Sequence, residues 1–195
     1  MTSRDEILTV IRAAVKRERG APIPEPPAAL LREGARENLL DQFVAAFQSL
    51  AGHAVVVKNA AEANEAVKTI VNGRTFAASP KMGGGDFSRD ACATLDVGIT
   101  SADYALADTG SLVLLTESGE SRLLSLLPPC HIAVFGRSRI VPSLDDFFRI
   151  HALPADTSSA VTIVTGPSRT GDIEMRLVRG VHGPGEVHAV IIDEM

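Results

Sequence analysis

Two stretches concentrate the side chains that could do chemistry. The first runs from Ala102 to Ser111 and holds two carboxylates, Asp103 and Asp108, and two hydroxyls, Thr109 and Ser111. Between the hydroxyls sits Gly110, a residue that lets backbone approach a ligand. Thr109 to Ser111 could present N–H and O–H donors to an oxyanion, although Asp-x-Gly is also a common turn. The second stretch runs from Gly166 to Gly185. Ser168, Arg169 and Thr170 follow a predicted strand over 161–165, beyond whose carboxyl end an α/β sheet puts its ligand loops. Arg169 has the planar fork that grips a phosphate or carboxylate. Asp172 and Glu174 come next, then His182-Gly183-Pro184-Gly185, with His182 of the residue type that moves protons at neutral pH. Asp108, Glu174 and His182 are therefore the candidate catalytic residues. Asp103, Thr109, Gly110, Ser111, Ser168, Arg169, Thr170, Asp172 and Gly183 are the candidate ligand-binding residues.

Other motifs exclude chemistry. In Lys81-Met82-Gly83-Gly84-Gly85-Asp86 the lysine precedes the glycines, whereas a P-loop needs Gly-Lys-Ser/Thr after them. A dinucleotide fingerprint fails as well, because Ser88 stands where its last glycine belongs. The stretch reads as a mobile surface loop, though free N–H groups beside a lysine could hold an anion. Gly166 to Gly171 is one residue too long for a serine nucleophile elbow. The histidines form no H-E-x-x-H pattern, and no metal ligand is assigned. Two cysteines, Cys92 and Cys130, make neither a disulfide framework nor a zinc pattern. They are too few to hold an iron–sulfur cluster on this chain alone. So few thiols fit a reducing, cytoplasmic compartment.

The elements that must position these residues follow from periodicity. Ser3 and Glu6 form a capping box before Ile7, Leu8, Ile11, Ala14 and Val15, which fall on one helical stripe. Gly20 stops that helix, and Pro22, Pro24, Pro26 and Pro27 make a stiff strap. A second helix is predicted over 35–50, with its buried face at Leu39, Leu40, Phe43, Val44, Phe47 and Leu50. Strands are predicted at 54–57, 75–78, 96–99, 111–116, 132–135, 161–164 and 187–192. Helices are predicted over 60–71 and after Ser143, with Asp146 three residues on from that cap. Short apolar strands separated by helices indicate an α/β domain with a largely parallel sheet. The stretch 97–116 leaves too little room for long helices, so local antiparallel pairing is expected within it. The domains divide as 1–52, helical with the proline strap, and 53–195, α/β.

Composition narrows the partners. The 195 residues carry a net charge of −5, and aromatics make up 4%. Basic stripes and stacking platforms are both missing, so a nucleic-acid partner is not expected. No signal peptide, transit peptide or membrane span is read.

At this point the chain resembles a known family. Residues 102–135, ADYALADTGSLVLLTESGESRLLSLLPPCHIAVF, and 166–193, GPSRTGDIEMRLVRGVHGPGEVHAVIID, are similar to the lactate utilization protein C family, whose members carry a LUD domain. Asp108 stands where that family more often has Glu, Gly171 where Ala is usual, and Gly185 where Arg or Lys is frequent. The resemblance implies a NagB/RpiA/CoA-transferase-like α/β fold: a largely parallel central sheet flanked by helices, with the N-terminal helices packed on it. It implies a non-redox component of bacterial L-lactate oxidation to pyruvate, working beside an iron–sulfur protein and a cysteine-rich protein, and a small anionic ligand. The cofactor is left unknown, and whether the chain is itself catalytic stays open. The alternatives are a freestanding enzyme acting on a phosphorylated or CoA-linked metabolite, and a pure protein-interaction module.

Overall fold

The computed structural model describes residues 3–15, 37–85, 87–116, 122–151, 158–170 and 178–194. The chain divides into two compact units, Met1–Arg32 and Glu33–Met195. The first contains helix α1 (Ser3–Val15), with Asp5 and Glu6 in its first turn and Arg12 in its last. That distribution complements the helix dipole. Ile7, Val10 and Ile11 lie on one stripe of α1 and are exposed.

In the second unit the order is α2 (Leu39–Ser49), β1 (His53–Val57), α3 (Ala60–Val71), β2 (Phe76–Ala78), α4 (Arg89–Ala93), β3 (Val97–Ser101) and β4 (Tyr104–Leu106). Then come β5 (Ser111–Thr116), β6 (Cys130–Gly136), β7 (Ile140–Val141) and α5 (Leu144–Ile150). β8 (Ala160–Val164), β9 (Arg169–Thr170), β10 (Val178–Arg179) and β11 (Glu186–Ile192) complete it. Five strands form a sheet in the order β1-β11-β6-β3-β2, and every pair in it is parallel.

Both faces of this sheet are covered, which is why β6 and β11 are almost continuously apolar and buried. Successive side chains point to opposite faces. Ala133, Phe135, Val187, Ala189 and Ile191 meet Phe43 and Phe47 of α2. Ile132, Val134, Val190 and Ile192 meet Ala63 and Val71 of α3 on the other side. The largely parallel sheet flanked by helices is as expected. α2, which the sequence groups with the N-terminal segment, is part of this α/β unit, because its two phenylalanines are core.

α3 begins and ends where local chemistry predicts. The Asn59 side chain accepts the Glu62 N–H at 3.0 Å, and Asn72 closes the helix in the left-handed region. Asn59→Ala should lower unfolding stability by about 1 kcal/mol in urea denaturation, the ordinary cost of a lost N-cap.

A second sheet, β7-β4-β5-β8, stands apart from the parallel one. β4 and β5 make the expected antiparallel hairpin, with Leu106 opposite Ser111. β8 pairs antiparallel with β5 at the sheet's edge. The expectation that Ser168 to Thr170 follow a strand of the parallel sheet is therefore corrected. A short apolar run does not distinguish the two settings, and Val161 to Val164 find their backbone partners on β5 instead. Among the described residues no helix is long and apolar enough to cross a membrane.

Candidate functional site

The carboxyl ends of β3, β6 and β11 open into a crevice of about 390 Å³, lined among others by Ser101, Asp103, Gly136 and Ile192. That volume suits a small metabolite, and this end of a parallel sheet is where such folds bind ligands. Two cationic residues line it: Lys81, following β2, and Arg139, following β6. Lys81 Nζ lies 3.0 Å from Asp103 Oδ1 and donates to the Leu115 carbonyl at 3.2 Å. Asp103 Oδ2 accepts the Leu115 N–H at 2.7 Å, and the Asp103 N–H donates to the Val113 carbonyl at 2.9 Å. The ammonium is thus held in place by a carboxylate that β5 itself orients.

The glycine-rich stretch, read as a mobile surface loop, has its glycines exposed and forms a hydrogen-bonded turn through Gly84; Asp86 lies outside the described residues. Ser79 N–H donates to the Ile99 carbonyl at 2.9 Å, and Met82 N–H and Gly84 N–H both donate to the Ser79 carbonyl, at 2.8 and 3.0 Å. At Gly84 a Cβ would sit 1.8 Å from the Ala78 carbonyl oxygen. The glycine is there so that the turn can fold back on β2 and hold Lys81 at the crevice. Arg139 is a functional candidate that sequence patterns missed, and Lys81 is one they raised only as a lysine beside a loop that could hold an anion. The usable signal was a lysine between an apolar strand and a run of glycines.

The other predicted residues gather elsewhere. Thr109, Ser111 and Thr165 form a chain of hydroxyls with 2.9 Å between successive oxygens. Gly110, at φ +62°, lies against α2, where a Cβ would be 2.4 Å from the Phe47 nitrogen. Arg169 donates to the Leu50 carbonyl just past the end of α2, and Gly166, at φ +75°, packs on Leu50 as well. The two predicted loops therefore do meet, through Ser111 and Thr165 and against the C-terminal half of α2. Asp108 is exposed, and its N–H donates to the Pro142 carbonyl at 3.1 Å. Asp103 and Asp108 lie at opposite ends of β4, separated by roughly 10 Å of strand, so they do not converge on one atom.

Ser168 is tied to the final turn. Its N–H donates to the Pro184 carbonyl at 2.8 Å, and its own carbonyl accepts the Gly180 N–H at 3.0 Å. Thr170 pairs with Val178 across β9 and β10. His182 is exposed in the turn after β10, and Gly183 faces Ser168. Asp172 and Glu174 lie outside the described residues.

One further polar group is fully buried. His131, on β6, bonds through Nε2 to Thr100 Oγ1 at 2.9 Å, and its Nδ1 meets no hydrogen-bond partner among the described residues. Burial, with a smaller push from His188, drives its pKa down to about 4.

The LUD domain model matches residues 75–192, more than half of the chain. The chain belongs to the LUD domain family. The LUD match begins just before β2 and ends with β11, so it takes in Lys81, Asp103, Arg139 and both predicted loops. Lactate utilization protein C of Halalkalibacterium halodurans is 41% identical over 103 residues, 51% of this chain and 45% of that protein. Its namesake in Macrococcus caseolyticus is 39% identical over the same length, with the same coverage. Lactate utilization protein B of Bacillus subtilis is 39% identical over 104 residues, 50% of this chain and 20% of that protein. The matches thus span about half the length of the protein C relatives and less of protein B. The crystal structure of a DUF162-family protein from Deinococcus radiodurans covers 82% of this LUD chain and 99% of its own at a TM-score of 0.62, with 18% identity. At that identity the likeness establishes the fold.

Proposed function

We propose that this LUD chain is a non-redox component of a bacterial lactate-utilization system and holds a small anionic ligand in the crevice at Lys81. The observation that carries this reading is the Lys81–Asp103 pair: a lysine oriented by a carboxylate and a backbone carbonyl at the carboxyl ends of parallel strands. Both side chains are three-quarters or more withdrawn from solvent, where a charge interacts more strongly than on an open surface. Arg139 adds a second positive charge from the β6 side. Lactate and pyruvate both present a carboxylate that such a pair would grip. The curated relatives named lactate utilization proteins B and C support the process. An iron–sulfur protein and a cysteine-rich protein are the proposed partners, since oxidation of lactate needs an electron acceptor.

The test is calorimetry on the purified chain with lactate, pyruvate, CoA and sugar phosphates, repeated on variants. Lys81→Met should weaken the anion that binds by roughly 10- to 100-fold, the value of one charge-assisted contact. Arg139→Ala should weaken it less, because among the described residues no carboxylate orients that guanidinium as Asp103 orients Lys81. Arg169→Ala, beyond the end of α2, should leave it unchanged. Wild-type affinity in a folded Lys81→Met protein would remove the crevice from consideration, and loss in Arg169→Ala alone would move the ligand to the other loops.

A second reading rests on α1. Ile7, Val10 and Ile11 make an apolar stripe that is half or more exposed, the kind of face that docks a partner in a groove. Removing residues 1–27 should abolish co-purification with the iron–sulfur protein and spare ligand binding; retained association would end that reading.

A further inference from the structure

We propose that Cys130, Glu186 and His188 form a binding site for a zinc-class divalent cation at the amino-terminal end of the parallel sheet. The site is remote from the Lys81 crevice and does not depend on the function proposed above. It is made by strand register. Cys130 opens β6 directly opposite Glu186, the first residue of β11, and His188 follows two positions on, facing the same side. The three ligand atoms all lie within 4.8 Å of one another. Tetrahedral zinc with bonds of roughly 2.0–2.3 Å would set its ligands about 3.3–3.5 Å apart. Closure is a matter of side-chain rotation: His188 Nε2 and Glu186 Oε1, now 2.6 Å apart, open slightly while the thiol closes.

The ligand chemistry selects the ion. A thiolate with an imidazole and one carboxylate is a borderline-soft set that favours zinc over magnesium or calcium, which prefer oxygen alone. Three protein ligands leave a fourth position for water. Outside these three, Arg74 fixes the carboxylate. Its Nη1 donates to Glu186 Oε2 at 3.1 Å, while Nη2 is anchored on the Ile70 carbonyl at 2.6 Å. Glu186 Oε1 is thereby turned toward His188 and the thiol, the outer-shell orientation that metal sites use. The His53 ring stacks on His188 with centroids 4.9 Å apart and holds the imidazole plane. An ion here would tie β6 to β11 and, through Arg74, to the end of α3.

Loading requires one proton to leave. A bound cation replaces that proton, which passes to solvent, and the sulfur becomes a thiolate ligand.

The experiment is a cobalt(II) titration of the chelator-stripped chain, followed by zinc. One equivalent of cobalt should produce a thiolate-to-cobalt charge-transfer band with tetrahedral visible bands, both erased by one equivalent of zinc. Cys130→Ser should lose the charge-transfer band. Cys92→Ser, whose thiol belongs to a different core cluster, should keep it. His188→Gln should retain the fold by circular dichroism and weaken binding by about tenfold or more. Absence of the band in the folded wild type at saturating cobalt, or its survival in Cys130→Ser, would overturn the site.

Discussion

Gly110→Ala is expected to cost the domain roughly 2–5 kcal/mol of unfolding stability, a large fraction of what an ordinary domain has. Two penalties combine. The residue sits at φ +62°, a left-handed conformation that costs an L-residue about 1–2 kcal/mol. The new methyl would also lie 2.4 Å from the Phe47 nitrogen and 2.7 Å from the Ala46 carbonyl carbon. Both are backbone atoms of a helix that cannot yield without moving Phe43 and Phe47 in the core, and overpacking of that kind adds about 1–3 kcal/mol. Urea denaturation measures the sum. The contrast is Gly183→Ala, where a Cβ would rest 3.5 Å from Ser168 Cβ, an ordinary contact. Its stability should change by less than about 1 kcal/mol, so any loss of ligand binding there reports on binding alone. A Gly110→Ala protein as stable as wild type would mean that the turn and α2 are not packed as described.

That pair of glycines shows what local sequence can and cannot reveal. Asp108-Thr109-Gly110-Ser111 is legible as a turn leading into a strand, because turn chemistry is local. That the close approach is made by α2 and not by a ligand is a tertiary fact. α3 was legible over 60–71, the bounds it has in the structure. So was α5, where Ser143 Oγ accepts the Asp146 N–H at 3.3 Å. β8 was legible as a strand but not as an antiparallel edge. The site was harder still. Asp103 stands out beside its strand, yet its partner Lys81 is 22 residues away. The two meet only because β2 and β3 run side by side in parallel. Cys130, Glu186 and His188 likewise become neighbours only through the register of β6 against β11, which no spacing rule encodes.

His131 carries the second large effect, a loss of stability on mild acidification. It sits in the centre of the parallel sheet on β6, fully buried, with its ring neutral and bonded to Thr100. Its pKa is about 4 in the folded protein against 6.5 for an unperturbed histidine, because a charged ring would have to shed its water. The folded pKa of this base is the lower one, so the unfolded chain takes up a proton first as pH falls. The stability contribution is therefore complete above about pH 7, is lost from about pH 6.5 down to about pH 4, and does not change further below that. The interval is worth about 3 kcal/mol at roughly 1.4 kcal/mol per pH unit. His188, also lowered by burial, loses stability in the same direction and the same region. Glu186, held low by His188 and Arg74 despite its burial, gives way only as pH falls through the carboxylate range. His131→Gln keeps a hydrogen-bonding partner for Thr100 but cannot be protonated there. Unfolding free energies measured at several pH values between 7.5 and 4 should fall steeply for the wild type. They should fall by about 3 kcal/mol less for His131→Gln, with the residual slope belonging to His188 and, at the acid end, to Glu186. Equal slopes in the two proteins would show that the buried imidazole is not what makes this fold sensitive to acid.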